Sequence, residues 1–419
     1  MLRTHKIRLV PTDAQVNHLA RACGVARFAW NWALARWQAQ YEAHRLNPAL
    51  AKPNEGALRR ELNALKRTEF PWMLEVTKCA PQEAIINLGK AYQNWFGSLS
   101  GKRRGPKVHA PQFKKKGQRD SFKCSAGTFD VDASRIRIPN LGWVRMRESL
   151  RFAGRPVSVT VSRTAHAWFA AITLETEDTP ARCESQAAVG VDLGLKALAT
   201  FSDGTEVQGP KALGTLLQRL RRLSRAHSRK EKGSANRRKS AQRLARLHWR
   251  ISNVRQDALH KLTHRLTANY GFMAIEDLNV KGMLSNRRLA RHIADAGFGE
   301  FRRQLEYKAA QRGTLVEVVD RWYPSSKRCS ACGAIHEALT LADRAWGCGA
   351  CGVVHDRDLN AARNLLAEGI RLAATISVPG AGMTVCGEEG SGSGRKTRTK
   401  PASMKQTVKH NAAPRPPYA

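Results

Sequence analysis

Acid is what this 419-residue chain has least of relative to its opposite: 34 Asp plus Glu stand against 71 Lys plus Arg, a formal net charge of +37. Such an imbalance argues against an ordinary metabolic enzyme or an inert scaffold and calls for a polyanionic partner. Long apolar runs are missing as well. No stretch approaches the 18 residues of a membrane helix, and Met1-Leu2-Arg3-Thr4-His5-Lys6 leads into no uninterrupted apolar segment of a secretion signal. The expected location is the cytoplasm. The nine cysteines do not form an even set for a disulfide framework, and four of them fall in two tight pairs, which suits a metal in a reducing compartment. What is present is enough to fold. With 42% hydrophobic residues and 10 Trp the chain is no disordered basic tail, and its length allows two to four domains.

After a short strand at residues 7–10, Pro11-Thr12-Asp13 reads as a helix start, and Val16, Leu19, Cys23, Ala26, Trp30, Ala33, Leu34 and Trp37 recur at helical spacing, with a possible break at Gly24. A second amphipathic helix is predicted over 81–96, its Ile85, Leu88, Tyr92, Trp95 and Phe96 read as core. Residues 102–119 then hold eight Lys or Arg and no acid, a basic loop from which Lys102, Arg103, Arg104, Lys107, Lys114, Lys115 and Lys116 are candidate nucleic-acid contacts. Period-two segments at 135–138, 143–146, 157–161 and 168–174 predict a small antiparallel barrel or sheet. The apolar run 187–191 opens a new domain. Residues 211–250 follow with fourteen Lys or Arg against the single acid Glu231, read as two basic helices joined by a turn at 233–236. A face so poorly balanced repels itself without an anion, so Arg229, Lys230, Arg237, Arg238 and Lys239 join the candidate contacts.

Cys329-x-x-Cys332, fifteen residues, then Cys348-x-x-Cys351 is the spacing of a four-cysteine zinc ribbon. Ligation by thiolates alone leaves no open position, so this zinc is structural. His336 and His355 lie nearby and are read as bystanders. The remaining cysteines, Cys23, Cys79, Cys124, Cys183 and Cys386, read as core or surface thiols.

Three acids stand where buried elements end or begin. Asp192 follows Ala188-Val189-Gly190-Val191, Glu276 follows Phe272-Met273-Ala274-Ile275, and Asp358 sits at a helix start just past the second zinc knuckle. Brought together, carboxylates repel unless divalent cations lie between them, and hard oxygen donors suit Mg²⁺ or Mn²⁺. A two-metal site of this kind cleaves phosphodiesters.

The motifs Val189-Gly-Val-Asp-Leu-Gly-Leu195, Ile275-Glu-Asp-Leu-Asn279, Tyr323-Pro-Ser-Ser-Lys-Arg-Cys-Ser-Ala-Cys-Gly333, Trp346-Gly-Cys-Gly-Ala-Cys-Gly352 and His355-Asp-Arg-Asp-Leu-Asn-Ala-Ala-Arg-Asn364 closely resemble those of the TnpB proteins of insertion sequences, ancestors of compact type V CRISPR effectors. The resemblance covers about residues 1–366. It implies an α+β multidomain chain: a wedge-like β-barrel at 1–10 and 106–185, a helical recognition domain at 11–105, a RuvC-like nuclease domain of RNase H-like fold at 186–326 and 353–370, and an inserted zinc ribbon at 327–352; the unmatched remainder, 371–419, is expected from its composition to be a disordered basic tail. It also implies a transposon-encoded, prokaryotic RNA-guided DNA endonuclease, acting as a monomer, with guide RNA and a double-stranded DNA target as partners, Mg²⁺ or Mn²⁺ as catalytic metal and zinc as structural metal. Asp192, Glu276 and Asp358 match the family's three RuvC carboxylates. Asp277 is given a local structural role, Asp356 and Asp320 are set aside as third acid, and Asp203 is a turn residue. Alternatives from the same resemblance are a compact CRISPR-like effector and a nuclease-inactive guided repressor; a transposase that joins strands fits less well.

Overall fold

Alternation of buried and exposed residues builds the first strand, β1 (Leu2–Val10), which turns His5, Ile7 and Leu9 inward. Thr12 ends it and caps α1 (Asp13–Leu46): its Oγ1 accepts the Gln15 N–H while Gln15 Oε1 accepts the Thr12 N–H, a reciprocal box that satisfies two otherwise orphaned donors. The expected break at Gly24 does not occur. One internal glycine costs about 1 kcal/mol, and burial of Cys23, Val25 and Ala26 beside it outweighs that. Next come α2 (Glu55–Leu65), a 3₁₀ turn (Pro71–Glu75) and α3 (Cys79–Leu99). Trp37 of α1 stacks on Tyr92 of α3 at 4.3 Å between ring centres.

Strands β2 (Ser121–Ser125), β3 (Asp130–Asp132), β4 (Arg135–Ile138), β5 (Gly142–Met146), β6 (Arg155–Thr164) and β7 (Ala167–Glu175) join β1 in one antiparallel sheet of order β2-β6-β7-β1-β5-β4-β3, with β2 and β3 at its edges. Its inner face and α1 to α3 share a single core, from Leu34 and Leu88 to Val161 and Ile172. The polar stretch 102–119 connects helices to sheet without regular structure.

A second sheet of order β10-β9-β8-β11-β12 is formed by β8 (Ala188–Asp192), β9 (Ala199–Phe201), β10 (Glu206–Val207), β11 (Phe272–Glu276) and β12 (Leu315–Val319), and β8, β11 and β12 run parallel. Between β10 and β11 lie α4 (Ala212–Ser228) and α5 (Ala235–Asn269), and between β11 and β12 lie α6 (Val280–Met283), α7 (Ala290–Ala296) and α8 (Phe298–Arg312). One sheet face, with Val189, Val191, Met273 and Ile275, packs on Leu259, Leu266, Phe301 and Leu305 of α5 and α8. The opposite face carries Ala274 and packs against Leu365 of α9 (Arg357–Ile376), which follows the short hairpin of β13 (Ala345–Gly347) and β14 (Val354–Asp356). Trp249 of α5 reaches the first sheet, edge-on to His166 at 5.3 Å with the Arg8 guanidinium 5.9 Å from its ring.

The computed structural model describes residues 1–177, 183–340 and 342–376. The chain divides into compact units Met1–Ala374 and Thr375–Ala419, and the first contains every element above apart from the end of α9. Residues 371–376, expected in the tail, continue α9, and the rest of that expected tail, with Cys386, lies outside the described residues. Among the described residues no helix is long and apolar enough to cross a membrane.

Candidate active site and metal centre

Side chains alternate along a strand, so Asp192 shares the face of Gly190 and Glu276 that of Ala274. Because Ile275 pairs with Val191 in parallel register, the two acids stand level on neighbouring strands, at their carboxyl ends and toward α9. Gly190 is what lets α9 come this close. A Cβ there would meet the Ala362 carbonyl oxygen and lie 2.8 Å from the Leu366 nitrogen. From Gly190 to Asp192 the strand advances about 6.6 Å, and from Ala362 back to Asp358 the helix retreats about 6 Å, so the first turn of α9 arrives beside Asp192.

The electrostatics record that convergence. Burial pushes the Asp192 carboxyl up to about 7, and the charges of Asp358, Glu276 and Asp356 push the same way against Arg357. Glu276 is likewise raised, by burial first and then by Asp277. Asp358 is held by the Arg357 guanidinium at 3.3 Å and by Arg344 at 3.7 Å. The carboxylates are not drawn into one tight cluster: among the described residues, the four zinc-motif cysteines are the one group of three or more His, Cys, Asp or Glu whose donor atoms all lie within 4.8 Å of one another. Spread, mutually repelling oxygen donors of this kind fit divalent cations placed between them.

The neighbouring acids are engaged elsewhere. Asp356, not Asp358, caps α9, its Oδ1 accepting the N–H groups of Asp358 at 3.0 Å and Leu359 at 2.9 Å. Asp277 pairs with Arg302 at 2.5 Å and with Arg321. Asp320 is exposed beyond β12 and accepts the Trp322 N–H at 2.8 Å. Asp203 accepts the Thr205 N–H at 2.8 Å, as a turn residue should.

In the ribbon, Cys329 Sγ lies 3.7 Å from Cys351 and Cys332 Sγ 3.6 Å from Cys348. Both knuckles are closed alike: the Gly333 N–H donates to the Cys329 carbonyl and the Gly352 N–H to that of Cys348, with φ of 82° and 73° that favour glycine. Burial opposes ionisation of Cys329, but the backbone N–H groups of Cys332 and Ala331 and the His355 ring outweigh it and bring the thiol down to about 7. Backbone N–H groups of Cys351 and Ala350 bring Cys348 down to about 6. Four sulfurs converging within 4.8 Å of one another, in the two-knuckle pattern of a ribbon, fit zinc. Neither histidine joins the four-sulfur group: His355 Nε2 lies 3.0 Å from Cys329 Sγ as a hydrogen-bond partner, and His336 packs edge-on against Trp346 at 5.3 Å.

Two residues that the sequence did not single out join ribbon and helix. Asn360 accepts the Ser330 N–H at 2.9 Å and donates to the Arg328 carbonyl at 2.7 Å, and Asn364 donates to the same carbonyl and to that of Ser325. They are 1% and 4% exposed, one helical turn apart on the face turned toward the first knuckle.

The family model OrfB_IS605, described as "Probable transposase", matches residues 171–287; a "Cas12f1-like, TNB domain" model matches 298–365, and a "Helix-turn-helix domain" model matches 1–45. In the structure, 1–45 form β1 and the single helix α1. A Streptomyces pristinaespiralis protein named "Putative RNA-guided DNA endonuclease" is 37% identical over 89% of this chain and 90% of its own length. Escherichia coli InsQ, whose name carries the same description, is 34% identical over 97% and 99%. The chain belongs to the TnpB family. A solved Cas12f1-sgRNA-target DNA complex, 14% identical, covers 87% of this TnpB chain and 98% of its own with a TM-score of 0.50, a likeness of fold.

Of the cationic candidates in this TnpB member, Lys102, Arg104, Lys107, Lys115, Lys116, Arg229, Lys230, Arg238 and Lys239 make no salt bridge among the described residues. Four of the candidates are committed within the chain, one of them Arg229, whose Nε donates to the Arg225 carbonyl at 3.4 Å. Arg103 donates to the Pro106 carbonyl, Lys114 lies 3.8 Å over the Trp30 ring, and Arg237 donates to the Lys230 carbonyl at 2.6 Å across the α4–α5 turn.

Two expectations arise here. Gly190→Ala should force α9 off the sheet and lower cleavage by about 10²-fold or more, because an error of about 1 Å at the reacting groups costs that much; single-turnover cleavage by the variant measures it, and wild-type rates would refute the close-approach role. Asp192 carries a raised pKa, so its contribution to stability is present at low pH and lost as pH rises through about 7. Without divalent cation, Asp192→Asn should therefore melt higher than the wild type at pH 8, with the advantage shrinking toward pH 5, in thermal scans at both pH values.

Proposed function

We propose that this chain is an RNA-guided DNA endonuclease whose cutting centre is Asp192, Glu276 and Asp358. The second sheet and its helices serve as a RuvC-like nuclease domain of RNase H-like type, the first sheet as the wedge, α1 to α3 as the recognition lobe, and the four-cysteine ribbon as a zinc-bound insertion. The observation that carries this reading is the level register of two strand-end carboxylates, Asp192 and Glu276, on the sheet face toward α9, with the charge of Asp358 acting on Asp192. Mg²⁺ or Mn²⁺, when bound, would supply Lewis acidity and a stronger nucleophile at neutral pH. The chain's own part is geometric. Parallel register holds Asp192 and Glu276 side by side, Arg344 and Arg357 orient Asp358, and sheet and helix backbone keep all three on rigid elements. Base pairing of the guide to its target supplies sequence specificity, while the exposed cations grip phosphates without reading sequence.

The test is to co-purify the chain with RNA from its own host locus, sequence that RNA, and offer a plasmid carrying the matching target. Cleavage should require the RNA, the match and a divalent cation, and should stop with EDTA. Equal cleavage without RNA would overturn the guided reading. Binding of the guide should weaken steeply with salt, because each neutralised phosphate releases counterions. Neutralising Lys115 with Lys116, or Arg238 with Lys239, should flatten the log–log salt slope by about 1 to 2. An unchanged slope would make these residues a solvated surface only.

A further inference from the structure

Trp322 is 85% exposed, the most solvent-open of the large apolar side chains among the described residues. It belongs to the loop that leaves the carboxyl end of β12, and that loop is well fixed. Asp320 accepts the Trp322 N–H through Oδ1 and the Tyr323 N–H, at 3.0 Å, through its carbonyl, while the Tyr323 carbonyl accepts the Ser325 N–H at 2.8 Å. Tyr323 turns inward onto the cluster of Ala274, Val319 and Leu365. A loop pinned by its acid on one side and its tyrosine on the other therefore presents one indole to solvent.

Where it does so matters. Val319 pairs with Glu276 in parallel register, the Asp277 N–H donates to the Val319 carbonyl at 3.0 Å, and Arg321 pairs with Asp277. Trp322 lies three residues past Val319, within about 10 Å of chain from the level of Glu276. Its immediate neighbours on one side are Asp320 and Arg321, both polar, and Leu315, the other exposed apolar residue of this strand, sits at the far end. A protein partner would need a cluster of apolar anchors. A single exposed ring on a fixed loop, preceded by Asp320 and Arg321 and beside a site for phosphodiesters on a chain of net charge +37, suits a base instead.

We propose that Trp322 is a stacking platform for an unpaired nucleobase of the DNA strand being cut, close to the scissile phosphate, so that it seats the strand across Asp192, Glu276 and Asp358. This rests on the nuclease reading above. The platform takes any base, since every base offers a π-face, and its contribution is to strand positioning rather than to sequence choice.

The experiment uses the full chain loaded with guide RNA and a target whose cut strand carries 2-aminopurine at successive positions around the cleavage point. In the wild type one position should be quenched by stacking, and Trp322→Ala should restore its fluorescence. Single-turnover cleavage by Trp322→Ala should fall about ten- to one-hundredfold at subsaturating target, guide affinity should stay at the wild-type value, and Trp322→Phe should recover most of the loss. Wild-type cleavage and unchanged fluorescence in Trp322→Ala would overturn the platform while leaving the nuclease reading intact. Loss of guide binding in Trp322→Ala, or failure of Trp322→Phe to rescue, would assign the residue to folding or RNA contact and also overturn it. A guide-loaded wild type that does not cut, and that Asp192→Ala does not alter, would instead remove the nuclease reading itself.

Discussion

Replacing Asp192, Glu276 or Asp358 singly with Ala is expected to lower target cleavage by more than about 10³-fold while guide RNA and target DNA still bind. Groups that act together lose most of their effect when any one is removed, and removing negative charge does not weaken a grip on phosphate. Three features make the expectation specific to these residues: the level register of Asp192 and Glu276, the dependence of Asp192 on the charge of Asp358, and the two arginines that hold Asp358. Asp356 is the informative control. Its Oδ1 caps α9, so Asp356→Asn, which keeps an acceptor, should cut nearly as the wild type does, and Asp356→Ala should cost about 1 kcal/mol of helix stability. If Asp358→Ala cuts at the wild-type rate and Asp356→Asn does not, the third carboxylate has been misassigned. Gel-resolved single-turnover cleavage beside filter binding separates these outcomes.

The second large effect is expected at a distance from the reacting groups. Cys329→Ser or Cys348→Ser should release zinc, unfold the ribbon and lower cleavage by about 10²-fold or more, although no cysteine belongs to the carboxylate site. The route is structural. Cys329 sits on the knuckle whose Ser330 N–H and Arg328 carbonyl are held by Asn360, Asn364 adds a second hold on the same segment, and His355 reaches Cys329 from the strand that runs into α9. Asp358 lies on the first turn of that helix, with Arg344 of the ribbon against it. Metal content by mass spectrometry should show one zinc per wild-type chain and a loss in each variant. Full cleavage by protein stripped of zinc would refute the coupling. Asn360→Ala should reproduce part of the loss with zinc retained, which separates the joint from the metal.

Much of this was readable from residues that act through short-range rules. The cysteine spacing announces its ribbon, and the acids after 187–191 and 272–275 announce strand ends because a charge after a buried apolar run needs a reason. The long α1 was readable too, but not its continuity through Gly24, which depends on what the flanking residues bury. The sequence showed little of α2, since only Leu58 and Leu62 of its eleven residues are buried. The third carboxylate came into view as a helix start, and the structure moved the cap two residues earlier, to Asp356. The joining roles of Asn360 and Asn364, and the contact of His355 with Cys329, stayed hidden for a common reason. A buried polar residue takes its meaning from a partner about thirty positions away, and no local pattern names that partner.

The order of the first sheet has a consequence for how the chain comes to be folded. β1 lies between β7 and β5, with Leu2 opposite Glu175, so the earliest strand synthesised is completed by the last of its sheet. Closing so long a loop comes before any contact rewards it, so pairings this distant in sequence form slowly. Until Glu175 has left the ribosome, β1 keeps an open edge, and the helices that share its core lack the part of it that β7 supplies. Nascent chains should therefore gain protease resistance abruptly, once residues beyond 175 emerge, and fragments ending before β7 should be cleared as unfolded protein.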